Sequence, residues 1–113
     1  MHEFSLAQNI IEIVQETLKQ NRLAKVTVVE LEIGTLSGVE IEALDMALES
    51  LQPGSVIEGA LVNKHIVKGK ARCKSCQFEF EPDDYFAPCP VCGDFGSEII
   101  KGKELKVRSI MAE

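Results

Sequence analysis

Residues 73–93 read CKSCQFEFEPDDYFAPCPVCG. Cys73-Lys-Ser-Cys76 and Cys89-Pro-Val-Cys92 are two C-x₂-C knuckles with twelve residues between them. Each knuckle brings two sulfurs to one side of a tight turn. Two facing knuckles make a tetrahedral four-sulfur site, which suits Zn²⁺. Pro88, Pro90 and Gly93 are placed to restrain the second turn. Four thiolates leave no open coordination position for a substrate, so the expected role of the site is structural. The other uses of four cysteines fit less well. Disulfides belong to an oxidising compartment. A redox C-x-x-C needs a single pair in a thioredoxin-like setting. Iron–sulfur clusters usually take other spacings.

Working outward, the composition changes at the edges of this stretch. Phe78, Phe80, Tyr85, Phe86 and Phe95 lie within eighteen residues, and Phe4 is the only aromatic residue elsewhere. The spacing predicts a small zinc-binding domain over residues 70–101, its aromatics packed around the metal. Lys70, Arg72 and Lys74 are placed to offset the −2 charge of a four-thiolate zinc site. Residues 1–69 plus 102–113 form the remaining domain. Residues 1–69 carry ten acids and five bases, so most of the net charge of −6 lies there. This balance excludes the usual basic face of a nucleic-acid binder. No apolar run is long enough for a membrane span. With no basic-then-apolar leader pattern, the expected location is cytoplasmic. No phosphate loop, nucleophile elbow or Ser-His-Asp set is present, so an enzyme is not expected.

Apolar periodicity supplies the other elements. Leu6, Ala7, Ile10, Ile13, Val14 and Leu18 mark an amphipathic helix over residues 4–21. Ser5 and Gln8 have capping-box spacing at its start. Residues 25–33 read as a strand whose inward phase slips between Val28 and Val29. A second helix spans about 39–51, with Ser37 and Glu40 as its capping box, Ile41, Leu44, Leu48 and Leu51 on one face, and Met46 near the core. Residues 60–67 and Leu105–Met111 read as further strands. His65, in the first of these, reads as a structural or solvated side chain. The fold class that follows is α+β: two helices packed on a three-stranded sheet, with a zinc-ribbon-like domain inserted before the last strand.

The chain opens Met1-His2-Glu3. The bulk of His2 is expected to preserve the initiator Met. The amine of Met1, the amide nitrogen of His2 and its imidazole can then close five- and six-membered chelate rings on one metal. The first amides of a helix lack intrahelical partners, so diverting them breaks no ladder bond. A planar set of nitrogen donors favours Ni²⁺ or Cu²⁺. Glu3 offers a fourth donor through its amide or its carboxylate.

These ends together resemble the HypA/HybF family of nickel metallochaperones. The matching residues are Met1-His2-Glu3 with Ser5 and Ala7, Ile33-Gly34-x-Leu36-Ser37-Gly38, and the double knuckle with Cys89-Pro90-x-Cys92-Gly93. Gly102-x-Glu104-Leu105 through Ser109-Ile110 completes the likeness, which spans essentially the whole length. The resemblance implies nickel at Met1, His2 and Glu3, with zinc at Cys73, Cys76, Cys89 and Cys92. It implies delivery into the [NiFe]-hydrogenase large subunit with a HypB-type GTPase, and a link in some relatives to urease maturation proteins. Two departures stand out: Gln77 follows Cys76 where Gly is common, and Asp94 stands where Ser is frequent. The rival readings are a nucleic-acid or protein-binding zinc ribbon adaptor without nickel transfer, and a thiol oxidoreductase.

Overall fold

The computed structural model describes residues 2–113. Its elements, in chain order, are α1 (Glu3–Gln20), β1 (Val26–Gly34), α2 (Ile41–Leu51), β2 (Leu61–Val67), β3 (Lys70–Cys73), β4 (Glu79–Phe80), β5 (Ser97–Lys101) and β6 (Leu105–Ala112). They make two three-stranded sheets, ordered β2-β1-β6 and β4-β3-β5. The chain divides into two compact units. One comprises residues 1–32, 39–65 and 106–113, and the other residues 33–38 and 66–105.

In the first unit α1 packs against α2. Ala7, Ile10, Val14 and Leu18 of α1 are buried with Leu44, Ala47 and Leu48 of α2, at the three- and four-residue steps the sequence shows. Burying each large side chain of this set contributes about 1.5–3 kcal/mol. From β1, Val26, Val29 and Leu31 are buried, so the inward phase does change after Val26. Lys25 and Glu113 exchange both backbone hydrogen bonds, at 3.0 and 2.8 Å, the closely spaced pair of an antiparallel ladder. On the same strands Glu32 faces Lys106 and Arg108. His65 is a strand residue whose Nε2 lies 3.0 Å from Glu30, which also accepts from Asn63.

Neither expected capping box forms. α1 starts at Glu3, two residues before Ser5, because the Leu6 N–H already reaches the His2 carbonyl at 2.9 Å. α2 starts at Ile41, and its N-cap residue Glu40 donates its backbone N–H to the Glu3 carboxylate at 3.1 Å. An acid from one helix therefore satisfies the positive end of the other, where anions are favoured. The C-terminus of α1 closes with Leu23 N–H on Leu18 and Arg22 N–H on Lys19, a Schellman motif with Arg22 at φ 53. Met46, expected near the core, is 69% exposed.

The second unit reaches further than the 70–101 segment, because the Ile33–Gly38 loop belongs to it. Thr35 N–H bonds Val67, Leu36 N–H bonds the Gly102 carbonyl, and Gly34 N–H bonds Glu104, all between 2.7 and 2.9 Å. The Thr35 hydroxyl oxygen accepts the Gly69 N–H at 2.8 Å. Three glycines make this approach possible. A Cβ on Gly34 would run into the Gly102 carbonyl, one on Gly102 into the Gly69 backbone, and one on Gly69 into Leu36. Gly69 and Gly102 lie on the links into and out of the cysteine segment.

Candidate metal centre

β3 is the central strand of the small sheet. Arg72 sits opposite Glu79 on β4 and Glu98 on β5, and Cys73 sits opposite Ser97. Cys73 thus ends a paired strand, and the chain turns at once into the first knuckle. The two knuckles repeat one backbone design. Gln77 N–H bonds the Cys73 carbonyl at 2.9 Å, and Gly93 N–H bonds the Cys89 carbonyl at 2.8 Å. Cys73 N–H then bonds Phe78, and Cys89 N–H bonds Asp94, each at 2.9 Å. The residue after each second cysteine is left-handed, at φ 69 for Gln77 and φ 79 for Gly93. Gly93 adopts this freely, whereas Gln77 carries a Cβ penalty of about 1–2 kcal/mol. Gln77→Gly should therefore stabilise the metal-loaded protein by about 1 kcal/mol, read as a rise in urea midpoint at unchanged slope. A lower midpoint would show that the Gln77 side chain, whose amide reaches the Lys74 carbonyl at 3.2 Å, outweighs the backbone cost.

The four Sγ atoms lie within 4.8 Å of one another. Cys73 and Cys92 are 3.5 Å apart, and Cys76 and Cys89 are 3.7 Å apart. A tetrahedral metal with thiolates at about 2.3 Å needs sulfurs about 3.8 Å apart. All four cysteines are free thiols, and the donor set fits a four-thiolate metal ion. Cys73 and Cys89 are buried, whereas Cys76 and Cys92 are exposed.

The electrostatics point the same way. The Cys76 backbone N–H holds the Cys73 thiol down at about 7, and the Cys92 N–H holds Cys89 below the ordinary thiol range. For Cys76 and Cys92 the backbone N–H groups of Phe78 and Asp94 favour the thiolates, but the adjacent thiols and the partial desolvation that comes with their packing win. Cys76 is raised, and Cys92 is pushed up to about 12. Four sulfurs packed this closely cannot all ionise without a cation among them.

Two details depart from the sequence reading. Lys70 and Arg72 do not face the sulfurs. They bind Glu79, at 3.0 and 2.7 Å, because β4 places that carboxylate beside both. Arg72 and then Lys70 hold the Glu79 carboxyl below its usual range. The aromatics do not enclose the site either. Phe78 stacks on Phe80 with ring centroids 6.5 Å apart, yet Tyr85, Phe86 and Phe95 point largely into solvent.

One contact escaped sequence reasoning. The Ser75 hydroxyl donates to the Asp94 carboxylate, so a side chain of the first knuckle clasps one of the second. Ser75 and then the Gly96 N–H hold the Asp94 carboxyl low. Asp94 was visible only as a departure from a family pattern; nothing in the spacing pairs it with Ser75.

At the other end of the chain, Met1 lies outside the described residues. His2 is exposed and stands at the head of α1. Glu3 is buried to 7% exposure, with its carboxylate on Glu40. Among the described residues, the four cysteines are the one cluster of His, Cys, Asp and Glu side chains able to hold a metal. No helix among them is long and apolar enough to cross a membrane.

Known proteins share this arrangement. The family model described as "Hydrogenase/urease nickel incorporation, metallochaperone, hypA" matches residues 1–112. The hydrogenase maturation factor HypA of Parabacteroides distasonis is 44% identical over 111 residues, covering 98% of this chain and 96% of that protein. HypA of Geobacter metallireducens is 38% identical over the full length of both. The solution structure of the Ni metallochaperone HypA from Helicobacter pylori superposes with a TM-score of 0.72 at 25% identity, covering 99% of this chain and 97% of that one. With a family model matched along nearly its whole length and relatives this similar, the chain belongs to the HypA family of hydrogenase and urease nickel-incorporation metallochaperones.

Proposed function

We propose that this chain binds Ni²⁺ at Met1, His2 and Glu3 and passes it on for [NiFe]-hydrogenase maturation, while Cys73, Cys76, Cys89 and Cys92 hold a structural Zn²⁺. The observation that carries the nickel site is at the head of α1. The His2 imidazole is in solvent, and the Glu3 carboxylate is turned inward onto the α2 N-terminus. Glu3 offers the fourth donor, through its amide nitrogen or its carboxylate, beside the amide and imidazole of His2 and the Met1 amine. The amides at the start of α1 have no acceptor within the helix, so the helix survives their diversion. A planar set rich in nitrogen donors suits Ni²⁺.

In this reading residues 1–69 with 102–113 form the nickel-binding domain, and residues 70–101 the zinc-binding domain. A site at a chain end, with no enclosing cavity, gives up its cargo by ligand exchange. A deeper site on a recipient replaces the donors one at a time. The recipient is the hydrogenase large subunit, reached with a HypB-type GTPase, and urease maturation proteins are a second destination. The protein works in the cytoplasm as a carrier, not as an enzyme. Imidazole must be neutral and the amine unprotonated to bind metal, so nickel affinity falls as pH drops.

Untagged protein tests the site. His2→Ala should weaken nickel binding more than about tenfold in a calorimetric titration, since loss of even an outer-shell partner costs that much. Zinc content should stay at one ion per chain. Unchanged nickel affinity would overturn the site.

A further inference from the structure

The two knuckles are joined by a short series of contacts that runs outward from the small sheet. Cys73 is paired with Ser97 in the β3–β5 ladder. One residue further, Lys74 donates its backbone N–H to the Gly96 carbonyl at 3.2 Å. Next in line, the Ser75 hydroxyl donates to the Asp94 carboxylate. The first two steps belong to the backbone. The third is made by two side chains, and it lies next to the exposed sulfurs. Ser75 directly precedes Cys76, and Asp94 follows Cys92 by two residues. Cys76 and Cys92 are exposed, whereas Cys73 and Cys89 are buried.

Asp94 is oriented for this contact by its own turn. Its Oδ1 accepts the Gly96 N–H at 3.0 Å, and its carbonyl accepts the Cys89 N–H at 2.9 Å. Oδ2 is the atom that takes the Ser75 hydroxyl. A hydrogen bond to a carboxylate is roughly twice as strong as a neutral one. Water competes at this exposed place, which limits what the bond adds to the stability of the whole chain. Its position gives it another effect. The close sulfur pairs, Cys73 with Cys92 at 3.5 Å and Cys76 with Cys89 at 3.7 Å, both run between the knuckles. Parting the knuckles separates both pairs. Strand pairing opposes this at the Cys73 end, and the Ser75–Asp94 bond opposes it at the exposed end.

We propose that Ser75 and Asp94 are positioning residues that keep the four-sulfur site closed on its exposed side and so set how fast its ion is exchanged. The proposal rests on the zinc reading of the four cysteines. Exchange moves a divalent ion from four thiolates to other donors, so no electron moves and only bonds to the metal change. A chain that carries one divalent ion and keeps another is served by a closed site, because raw affinity separates such ions poorly.

The test mixes full-length, zinc-loaded protein with an excess of a chromogenic zinc chelator. Ser75→Ala should release zinc about tenfold faster than the parent, the loss of one hydrogen bond to a charged group. Ser75→Thr, which keeps the hydroxyl, should restore the parent rate. Asp94→Ala should be at least as fast as Ser75→Ala, and combining the two should add nothing to Asp94→Ala alone. Before chelator is added, each variant should hold one zinc per chain and keep the amide protection of β3 and β5. A short pulse of N-ethylmaleimide should label Cys76 and Cys92 faster in Ser75→Ala, with Cys73 and Cys89 labelled later. Parent protein without one zinc per chain would overturn the zinc reading, and this proposal with it. Zinc-loaded parent and Ser75→Ala with equal release rates would overturn the proposal alone. So would additive effects of the two substitutions, a Ser75→Thr rate as fast as Ser75→Ala, or first labelling at Cys73 or Cys89. Lost protection of β3 and β5 in zinc-loaded Ser75→Ala would also overturn it, by showing a contact that the fold itself needs.

Discussion

Stripping the metal from the cysteine cluster should unfold the cysteine segment and leave the two helices standing. The unit that holds the cluster buries few large side chains. Ala71, Cys73, Cys89 and Leu36 are its buried apolar residues beyond Ile33, too small a core to fold without help. Structural Zn²⁺ supplies about 10–16 kcal/mol of apparent binding energy in small modules, and that energy is folding energy. The first unit has its own core on α1, α2 and β1. Hydrogen exchange before and after treatment with a strong chelator separates the two. Amides of β3 and β5 should lose nearly all protection, and those of α1 and α2 should keep theirs. Cys73→Ser should give the same pattern without a chelator, together with zinc near zero per chain. Retained protection across β3 and β5 in metal-free protein would show that the sulfur cluster is not what holds this segment.

The second large effect is steric. Gly34→Ala should destabilise the protein by about 3–5 kcal/mol, at the upper end for a single substitution. The added methyl meets the Gly102 carbonyl and the Lys103 nitrogen. Both are backbone and cannot rotate away as a side chain would. Moving them breaks the Leu36 bond to Gly102 and the Gly34 bond to Glu104, each 2.7 Å. Gly59→Ala is the matched control. Gly59 has φ +76 with nothing near its Cβ position, so the change costs only the left-handed backbone penalty, about 1–2 kcal/mol. Urea melts of the two variants should differ by several-fold in lost stability. Equal losses would mean that the crossing of residues 34, 69 and 102 is looser than the distances state.

Much of this was legible in the residues. The α1 face, the strand with its phase change and the four sulfurs follow from periodicity and spacing, because those patterns reflect local geometry. What was not legible depends on where distant segments meet. Ser5 and Ser37 have the right neighbours for capping boxes, but Glu3 and Glu40, 37 residues apart, cap α2 instead. Glu79 takes the charges of Lys70 and Arg72 because β4 pairs with β3, a contact no spacing rule encodes. Phe86 and Phe95 read by composition as packed around the metal, yet they are 83% and 70% exposed. The first residue, which the nickel reading needs, lies outside the described residues. Of its other two residues, His2 is exposed and Glu3 is buried at the head of α1.

The uneven burial of the cysteines has a chemical consequence. Cys76 and Cys92 face water while Cys73 and Cys89 do not, so the sphere of ligands has an outer half and an inner half. Oxidants and alkylating reagents meet the outer pair first, and damage should spread inward from Cys76 and Cys92 only as the ion is lost.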